Sequence, residues 1–168
     1  MGSPRFFSND ELATWIPFAA LLELLPKELD SQLLRDSDLT HFDYFSLAML
    51  TNAPDHRVQM KELASMTNAT MPRLSHVVSR LEKRGLVVRE PHAADGRGVD
   101  VVITPEGRRV VLQATPGHVQ AVRELVLDAL SDEQASQLRS ITTAVLRRLD
   151  PDGRMAASRP RPRNEDPA

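Results

Sequence analysis

The amino-acid sequence predicts a mainly α-helical protein with a small β wing, and three neighbouring features carry that prediction. Apolar residues recur with helical spacing between residues 70 and 84. Gly85 follows at once, and glycine readily adopts the left-handed conformation that ends a helix. Two short runs of strand composition then flank the turn Asp95-Gly-Arg-Gly98. Together these features indicate a winged helix-turn-helix, with further helices predicted on either side.

The first two helices are predicted from caps and apolar spacing. Three residues, Ser8, Asn9 and Asp10, can each cap the first helix, in which apolar residues recur at helical spacing as far as Leu34. Pro17 and Pro26 each remove a backbone donor, so we expect a short entry segment and a kink near Pro26. Thr40 can cap a second helix, which is predicted to end before residues 52–55.

The later elements are also predicted from local signals. Residues 57–59 are predicted to be an extended link, residues 60–66 a short helix, and residues 67–69 the turn that follows it. Thr104 can cap a fifth helix that runs to about residue 129, with a kink at Pro116-Gly117. A capping box at residues 131–134 starts a sixth helix. Prolines and arginines without large apolar residues predict a disordered tail at residues 151–168.

The helix predicted at residues 70–84 has two different faces. Its apolar side chains cluster on one side, where they can pack on Leu63 and Ala64 of the preceding short helix. The polar side is then free to enter the major groove of DNA, where Arg and His can donate to guanine edges. The residues predicted to contact DNA from this helix are Thr70, Pro72, Arg73, Ser75, His76, Ser79 and Arg80.

The turn between the two predicted strands carries an arginine at its tip. Glycine alone would satisfy an ordinary hairpin turn, so Arg97 is the additional information. Asp95 can pair either with Arg97 or with Arg80. We therefore predict that Asp95 and Arg97 belong to the DNA-binding surface, with Arg97 in a narrow minor groove.

The charge distribution agrees with a DNA-binding segment, although the net charge of the chain is −2. Residues 1–56 hold 3 Lys/Arg against 9 Asp/Glu, whereas residues 57–109 hold 10 against 6. Residues 110–168 are balanced at 8 and 8. Positive charge is thus concentrated around the predicted DNA-reading helix, as phosphate binding requires.

Two motifs make the chain similar to a known family. They are Ser-Arg-Leu-Glu-Lys-Arg-Gly-Leu-Val-Val at residues 79–88, and Asp95-x-Arg97 followed by Val-Val-Ile-Thr-Pro-Glu-Gly at residues 101–107. The chain resembles the MarR family of bacterial winged-helix transcriptional regulators over roughly residues 12–149. The resemblance implies an obligate homodimer in which the N-terminal and the last two helices of the subunits intertwine. It also implies that each subunit binds half of a pseudo-palindromic operator.

The resemblance assigns roles to parts of the chain. Residues 1–39 become an N-terminal dimerisation segment, 40–104 the DNA-binding domain, and 105–150 the C-terminal dimerisation helices. Thr70, Arg73, His76 and Arg80 are implied to lie at the DNA. His76 stands where an arginine is frequent in the family, and Met71-Pro72 reverses a common Pro-Ser order. These departures concern the operator sequence rather than the mode of binding.

Many members of the family respond to small aromatic or phenolic ligands, in a pocket where the first, second and fifth helices meet. The matching positions are Trp15, Phe18, Leu22, His41, Tyr44, Phe45 and Met49. The same residue types would equally form an apolar junction core, so pocket and core both remain open.

The function predicted from the sequence is a sequence-specific, DNA-binding transcriptional regulator that acts as a homodimer, most simply a repressor released by a small ligand. The alternative is a winged-helix protein-interaction module without specific DNA binding. No catalytic constellation, cofactor motif or metal-ligand spacing among the five histidines is found, so neither an enzyme nor a metal protein is expected. No apolar run approaches the length of a membrane span, and a cytoplasmic location is expected.

Overall fold

The computed structural model describes residues 6–92 and 98–159 of the chain. In chain order, the helices and strands within these ranges are α1 (Asn9–Ser37), α2 (His41–Asn52), β1 (Arg57–Gln59), α3 (Met60–Met66), α4 (Met71–Lys83), β2 (Val87–Pro91), β3 (Val99–Ile103), α5 (Pro105–Val122) and α6 (Asp132–Leu149). This mostly helical architecture with a small sheet is the predicted fold class, which is confirmed.

Helix α1 runs without a break for 29 residues, through both Pro17 and Pro26. The expected short entry segment is therefore wrong. A capping box between Ser8 and Glu11 starts the helix, and its C-terminal half packs against α2 and α5. These interactions offset the backbone hydrogen bond that each proline removes. Helix α5 likewise continues past Pro116 as far as Val122, and a π-helical turn at Arg123–Leu127 follows it.

The three strands form an antiparallel sheet in the order β1-β3-β2. Residues 57–59, expected only as an extended link, are a strand because Val58 pairs with Val101 of β3. On the other side of β3, Val88 pairs with Val102. The sheet thus ties the start of α3 to the wing, and it fixes where the wing leaves the helical core.

The hydrophobic core lies in the helix-turn-helix and its sheet. The fully buried aliphatic side chains of this core come mainly from the helices α1 to α4 and the strands β2 and β3. They include Leu33, Leu47, Leu50, Leu63, Leu74, Leu81, Val87 and Val101. Each such side chain contributes about 1.5–3 kcal/mol on burial. Because α4 and β2 share this core, the helix predicted to read DNA rests on a rigid base.

The N-terminal half of α1 and all of α6 are packed far less tightly. Trp15 is 47% exposed and Ile141 is 60% exposed, and no residue of α6 is buried. Beyond α6, residues 151–159 form turns and a 3-10 helix at Ala156–Ser158, where the sequence predicted no structure. In that segment the Asp150 carboxylate accepts the backbone N–H groups of Arg154 and Met155.

Candidate nucleic-acid interface

Helix α4 has the two faces that the sequence predicts. Leu74, Val77, Val78 and Leu81 are buried, and the opposite face is exposed. The Thr70 hydroxyl caps the helix by accepting the N–H of Arg73 at 3.4 Å. Gly85 adopts a left-handed φ of +71°, as predicted for the residue that ends this helix. Thr70, Pro72, Arg73, Ser75 and His76 are exposed, so their side chains are accessible for DNA contacts.

The turn between α3 and α4 is closed by side-chain and backbone hydrogen bonds. The Thr67 hydroxyl donates to the carbonyl of Leu63 at 2.7 Å, and the N–H of Ala69 donates to the carbonyl of Ala64 at 2.8 Å. Asn68 has a φ of +51°, which asparagine tolerates better than most residues. This tight turn sets α4 across α3 and leaves its polar face outward.

Arg80 pairs with a buried carboxylate that the sequence analysis missed. Its Nη2 lies 2.5 Å from Oδ1 of Asp43, whose side chain is only 2% exposed. The other oxygen, Oδ2, accepts the backbone N–H of Thr40 at 3.0 Å as part of the α2 capping box. Asp95, the alternative partner considered for Arg80, lies outside the described residues. The partner found within them is Asp43, 37 residues earlier in the chain.

Arg73 is oriented by an aromatic ring. Its guanidinium carbon lies 4.3 Å from the centroid of the Phe42 ring, within cation–π range. Phe42 belongs to α2, as does Asp43, so one short stretch of α2 contacts both predicted DNA-binding arginines of α4. The Arg73 side chain is exposed, and its guanidinium is held over the Phe42 ring.

Ser79, predicted to contact DNA, also makes a contact within the protein. Arg89 of β2 donates from Nη2 to the Ser79 hydroxyl and to the Ser75 carbonyl, both at 2.9 Å. Nη1 of Arg89 donates to Glu82 at 2.6 Å. Ser79 is half-buried under this side chain. Ser79 thereby joins the wing to α4 as an acceptor, and its own O–H remains available as a donor.

A network of ion pairs and hydrogen bonds around the buried Asp100 carboxylate holds the base of the wing. The Asp100 carboxylate on β3 is 2.7 Å from Nδ1 of His92 and 3.5 Å from Nη1 of Arg57 on β1. Arg57 also donates to Glu90 of β2 at 2.7 Å. The network spans all three strands and fixes where the wing leaves the sheet. Asp95 and Arg97, predicted on the tip of that wing, lie outside the described residues.

The predicted ligand-binding residues do not form one site within a single chain. His41 and Tyr44 surround His118 of α5, with ring centroids 5.6 and 4.6 Å from it, and the Tyr44 hydroxyl is 3.1 Å from the hydroxyl of Thr115. Phe45, also on α2, is half-buried. The other members of the set lie elsewhere.

Trp15 and Phe18 instead line an apolar groove of about 530 Å³ with Ile141 and Val145 of α6. Leu22 is exposed on α1. Met49 borders a different cleft of about 700 Å³, beside the wing base. The residues predicted to line one pocket therefore lie on separate surfaces of a single chain.

Burial disfavours charge on the two histidines of the α1–α2–α5 junction. It lowers the pKa of His41, and the nearby Asp30 carboxylate opposes that shift. Burial also lowers the pKa of His118, and the neighbouring His41 adds to the effect. Within the described residues, Nδ1 of His118 is buried without a hydrogen-bond partner.

Two further features, a metal-binding cluster and a membrane-spanning helix, are absent from the described parts of the chain. Within residues 6–92 and 98–159, no cluster of three or more histidine, cysteine, aspartate or glutamate side chains could hold a metal ion. No helix in these ranges is both long enough and apolar enough to cross a lipid bilayer.

Comparisons with known proteins agree with this geometry. A sequence profile described as "MarR family" matches residues 38–98. The transcriptional regulator HosA from Escherichia coli is 38% identical over 98 residues, which cover 58% of this chain and 70% of that protein. The HTH-type transcriptional repressor YetL from Bacillus subtilis is 30% identical over 103 residues, and the match spans 61% of each chain.

A solved structure extends the similarity to most of the chain. Sco3205, a MarR family transcriptional regulator from Streptomyces coelicolor crystallised in complex with DNA, is 40% identical with a TM-score of 0.85. The match covers 89% of this chain and 94% of that one. The similarity therefore includes the helices outside the winged helix-turn-helix.

Proposed function

The chain belongs to the MarR family of transcriptional regulators, and from this premise we propose that it is a homodimeric repressor of a pseudo-palindromic DNA operator. The observation that carries the proposal is the exposed polar face of α4. Arg73 and Arg80 are held there by Phe42 and Asp43, beside a wing whose base is fixed by polar contacts of the buried Asp100. Preorganised cations next to a ribbon fit a groove and its flanking phosphates.

The DNA-binding part of the proposal is tested by fluorescence anisotropy on the duplex that lies upstream of the coding sequence. Binding is expected to weaken steeply with added salt, because lysine and arginine release counterions from phosphates. The variant Arg97→Ala is expected to bind this duplex more weakly than the parent. An Arg97→Ala variant that binds as tightly would contradict the wing assignment. Salt-independent or absent binding would instead favour the protein-interaction module.

The homodimer is supported by apolar side chains that one chain leaves exposed. On α1 these are Trp15, Ile16, Phe18, Leu21, Leu22 and Leu24, and on α6 they are Ile141, Val145 and Leu149. A contiguous apolar surface of this kind is characteristic of an interface rather than of a free surface. Light scattering is expected to give about twice the chain mass of 18.7 kDa.

Release by a small aromatic or phenolic ligand is supported by the cluster of His41, Tyr44 and His118. It combines aromatic rings with an unpartnered Nδ1 and a Tyr–Thr hydroxyl pair, and such a mixture suits a ring bearing one polar group. The test adds salicylate to the preformed protein–DNA complex. Release that is reduced in Tyr44→Phe and His118→Gln supports the proposal, whereas no release by this probe at millimolar concentration counts against a phenolic effector.

A further inference from the structure

Strand β2 is joined to α4 by one side chain that makes three directional interactions. Arg89 reaches Glu82, the hydroxyl of Ser79 and the carbonyl of Ser75. Its own backbone N–H donates to the second oxygen of Glu82 at 3.2 Å. Both carboxylate oxygens of Glu82 are therefore bound to the same residue of the wing.

The three acceptors lie along one face of α4. Residues 75, 79 and 82 follow one another at intervals of four and three, so they stack over two helical turns. Arginine can serve them together because its planar guanidinium carries several donors in fixed directions. A lysine has one ammonium group and could satisfy the carboxylate but not the whole row. The contact thus constrains the angle between β2 and α4 as well as their distance.

Among residues 6–92 and 98–159, the other interactions of the two strands with the rest of the protein lie at the base of the wing. Leu86 and Val87 are buried in the shared core, and the Asp100 network joins the strands to one another. Neither group touches the exposed side of α4. The Arg89 side chain is 26% exposed and lies on that side, beside the face predicted to meet DNA. Among the described contacts, that of Arg89 is the one that couples the orientation of β2 to the orientation of α4.

We propose that Glu82 and Arg89 are positioning residues that hold the wing at one angle to α4, so that helix and wing engage adjacent grooves together. This inference rests on the proposed DNA-binding function. Neither residue needs to touch DNA in this role. Their effect on affinity arises because a wing held in place does not lose orientational freedom when DNA binds.

The variant Glu82→Gln distinguishes a positioning role of Glu82 from a purely electrostatic effect of its charge on DNA affinity. Removing a negative charge beside DNA should by itself tighten binding, because repulsion of the phosphates falls. Loosening the wing should weaken binding, because the charge-assisted bonds to Arg89 are lost. The two explanations therefore predict opposite signs for the same substitution.

The matched control is Glu106→Gln. Glu106 also pairs with an arginine, Arg109, but both side chains are exposed, and the described partners of both lie on α5 itself. The substitution changes the net charge by the same amount. Arg89→Lys is the second test variant, since it keeps the charge and removes the fork of donors.

The experiment measures operator affinity by anisotropy and groove protection by hydroxyl-radical footprinting, with the full-length protein. Glu82→Gln and Arg89→Lys are expected to bind about fivefold to tenfold more weakly than the parent. They should lose protection at the outer flank of each half-site and keep it under α4. A merely structural role would instead reduce protection uniformly together with the melting temperature. Glu106→Gln should bind at least as tightly as the parent.

Two results would overturn the inference. One is a Glu82→Gln protein that binds as tightly as Glu106→Gln with its flank protection intact. The other is an Arg89→Lys protein that matches the parent in both measurements. A parent protein that shows no operator binding would overturn the proposed function itself, and is thereby distinguished from failure of the positioning role.

Discussion

The buried carboxylate of Asp43 lies 2.5 Å from the guanidinium of Arg80, and this pair joins the N-terminus of α2 to the exposed face of α4. Asp43 also caps α2 through the N–H of Thr40, and the next residue in the chain, Tyr44, contacts His118 of α5. One turn of α2 therefore contacts both the helix predicted to read DNA and the aromatic junction.

The first prediction concerns Arg80→Ala, which leaves the Asp43 carboxylate buried without its cation. The free energy of unfolding should fall by about 1–2 kcal/mol, less than for a fully buried pair because Arg80 is 48% exposed. Urea denaturation followed by circular dichroism measures the change. Arg109→Ala, which removes a fully exposed partner of Glu106, should leave the midpoint unchanged. Equal midpoints for the two variants would refute a structural role for the Asp43 pair.

The second prediction concerns pH. Burial lowers the pKa of His41 and of His118 below the ordinary value of 6.5, so the folded protein favours their neutral forms. The unfolded chain then binds more protons than the folded one as the pH falls through 6.5. Stability should be complete above this value and should decrease below it.

Urea midpoints measured between about pH 8 and pH 5 test this dependence, because this range brackets the pKa of an unperturbed histidine, about 6.5. A His41→Gln, His118→Gln protein should show a smaller decrease than the parent over the same range. If the double variant lost stability as steeply as the parent, the pH dependence would have to come from other groups.

The third prediction concerns assembly. Ile141 is 60% exposed on the apolar stripe of α6, and a glutamate there would place a charge in the proposed interface. Ile141→Glu should shift the mass measured by light scattering from about twice 18.7 kDa toward one chain. Thr143→Glu adds the same charge at an exposed position of the same helix that is off the stripe, and it should remain dimeric. Dimers of unchanged stability in both variants would place the interface elsewhere.

The fourth prediction concerns sequence preference. His76 is exposed on α4 with no structural partner among the described hydrogen bonds and ion pairs, so its ring is available to a base edge. His76→Ala should reduce discrimination at one base pair of each half-site by about tenfold, with little change elsewhere. Anisotropy on duplexes with single base-pair changes measures the effect. A uniform loss over all positions would instead assign His76 to phosphate contact.

Much of the fold could be predicted because it depends on local signals. Residues within a few positions of one another account for the caps at Ser8, Thr40, Thr104 and Ser131, the stop at Gly85 and the two faces of α4. The short entry segment expected before α1 was wrong because proline preference is local, whereas the packing that sustains α1 comes from α2 and α5.

The site was predicted less completely, for a physical reason. Arg80 and Asp43 are 37 residues apart, and no periodicity links an acidic residue in one capping box to an arginine on another helix. Arg89 and Ser79 are separated by a turn whose direction decides whether they meet. Sequence pattern identified the polar face of α4, but the tertiary structure determines which of its side chains are engaged by the protein.

The most direct test of the central claim, that α4 and the wing form a sequence-specific DNA-binding surface, compares two duplexes of equal length. Anisotropy titrations with the upstream operator and with a scrambled duplex are run between about 50 and 200 mM salt. The account predicts at least about a thousandfold tighter binding to the operator, with affinity for both duplexes falling steeply as salt rises. Equal affinity for the two duplexes at every salt concentration would contradict it.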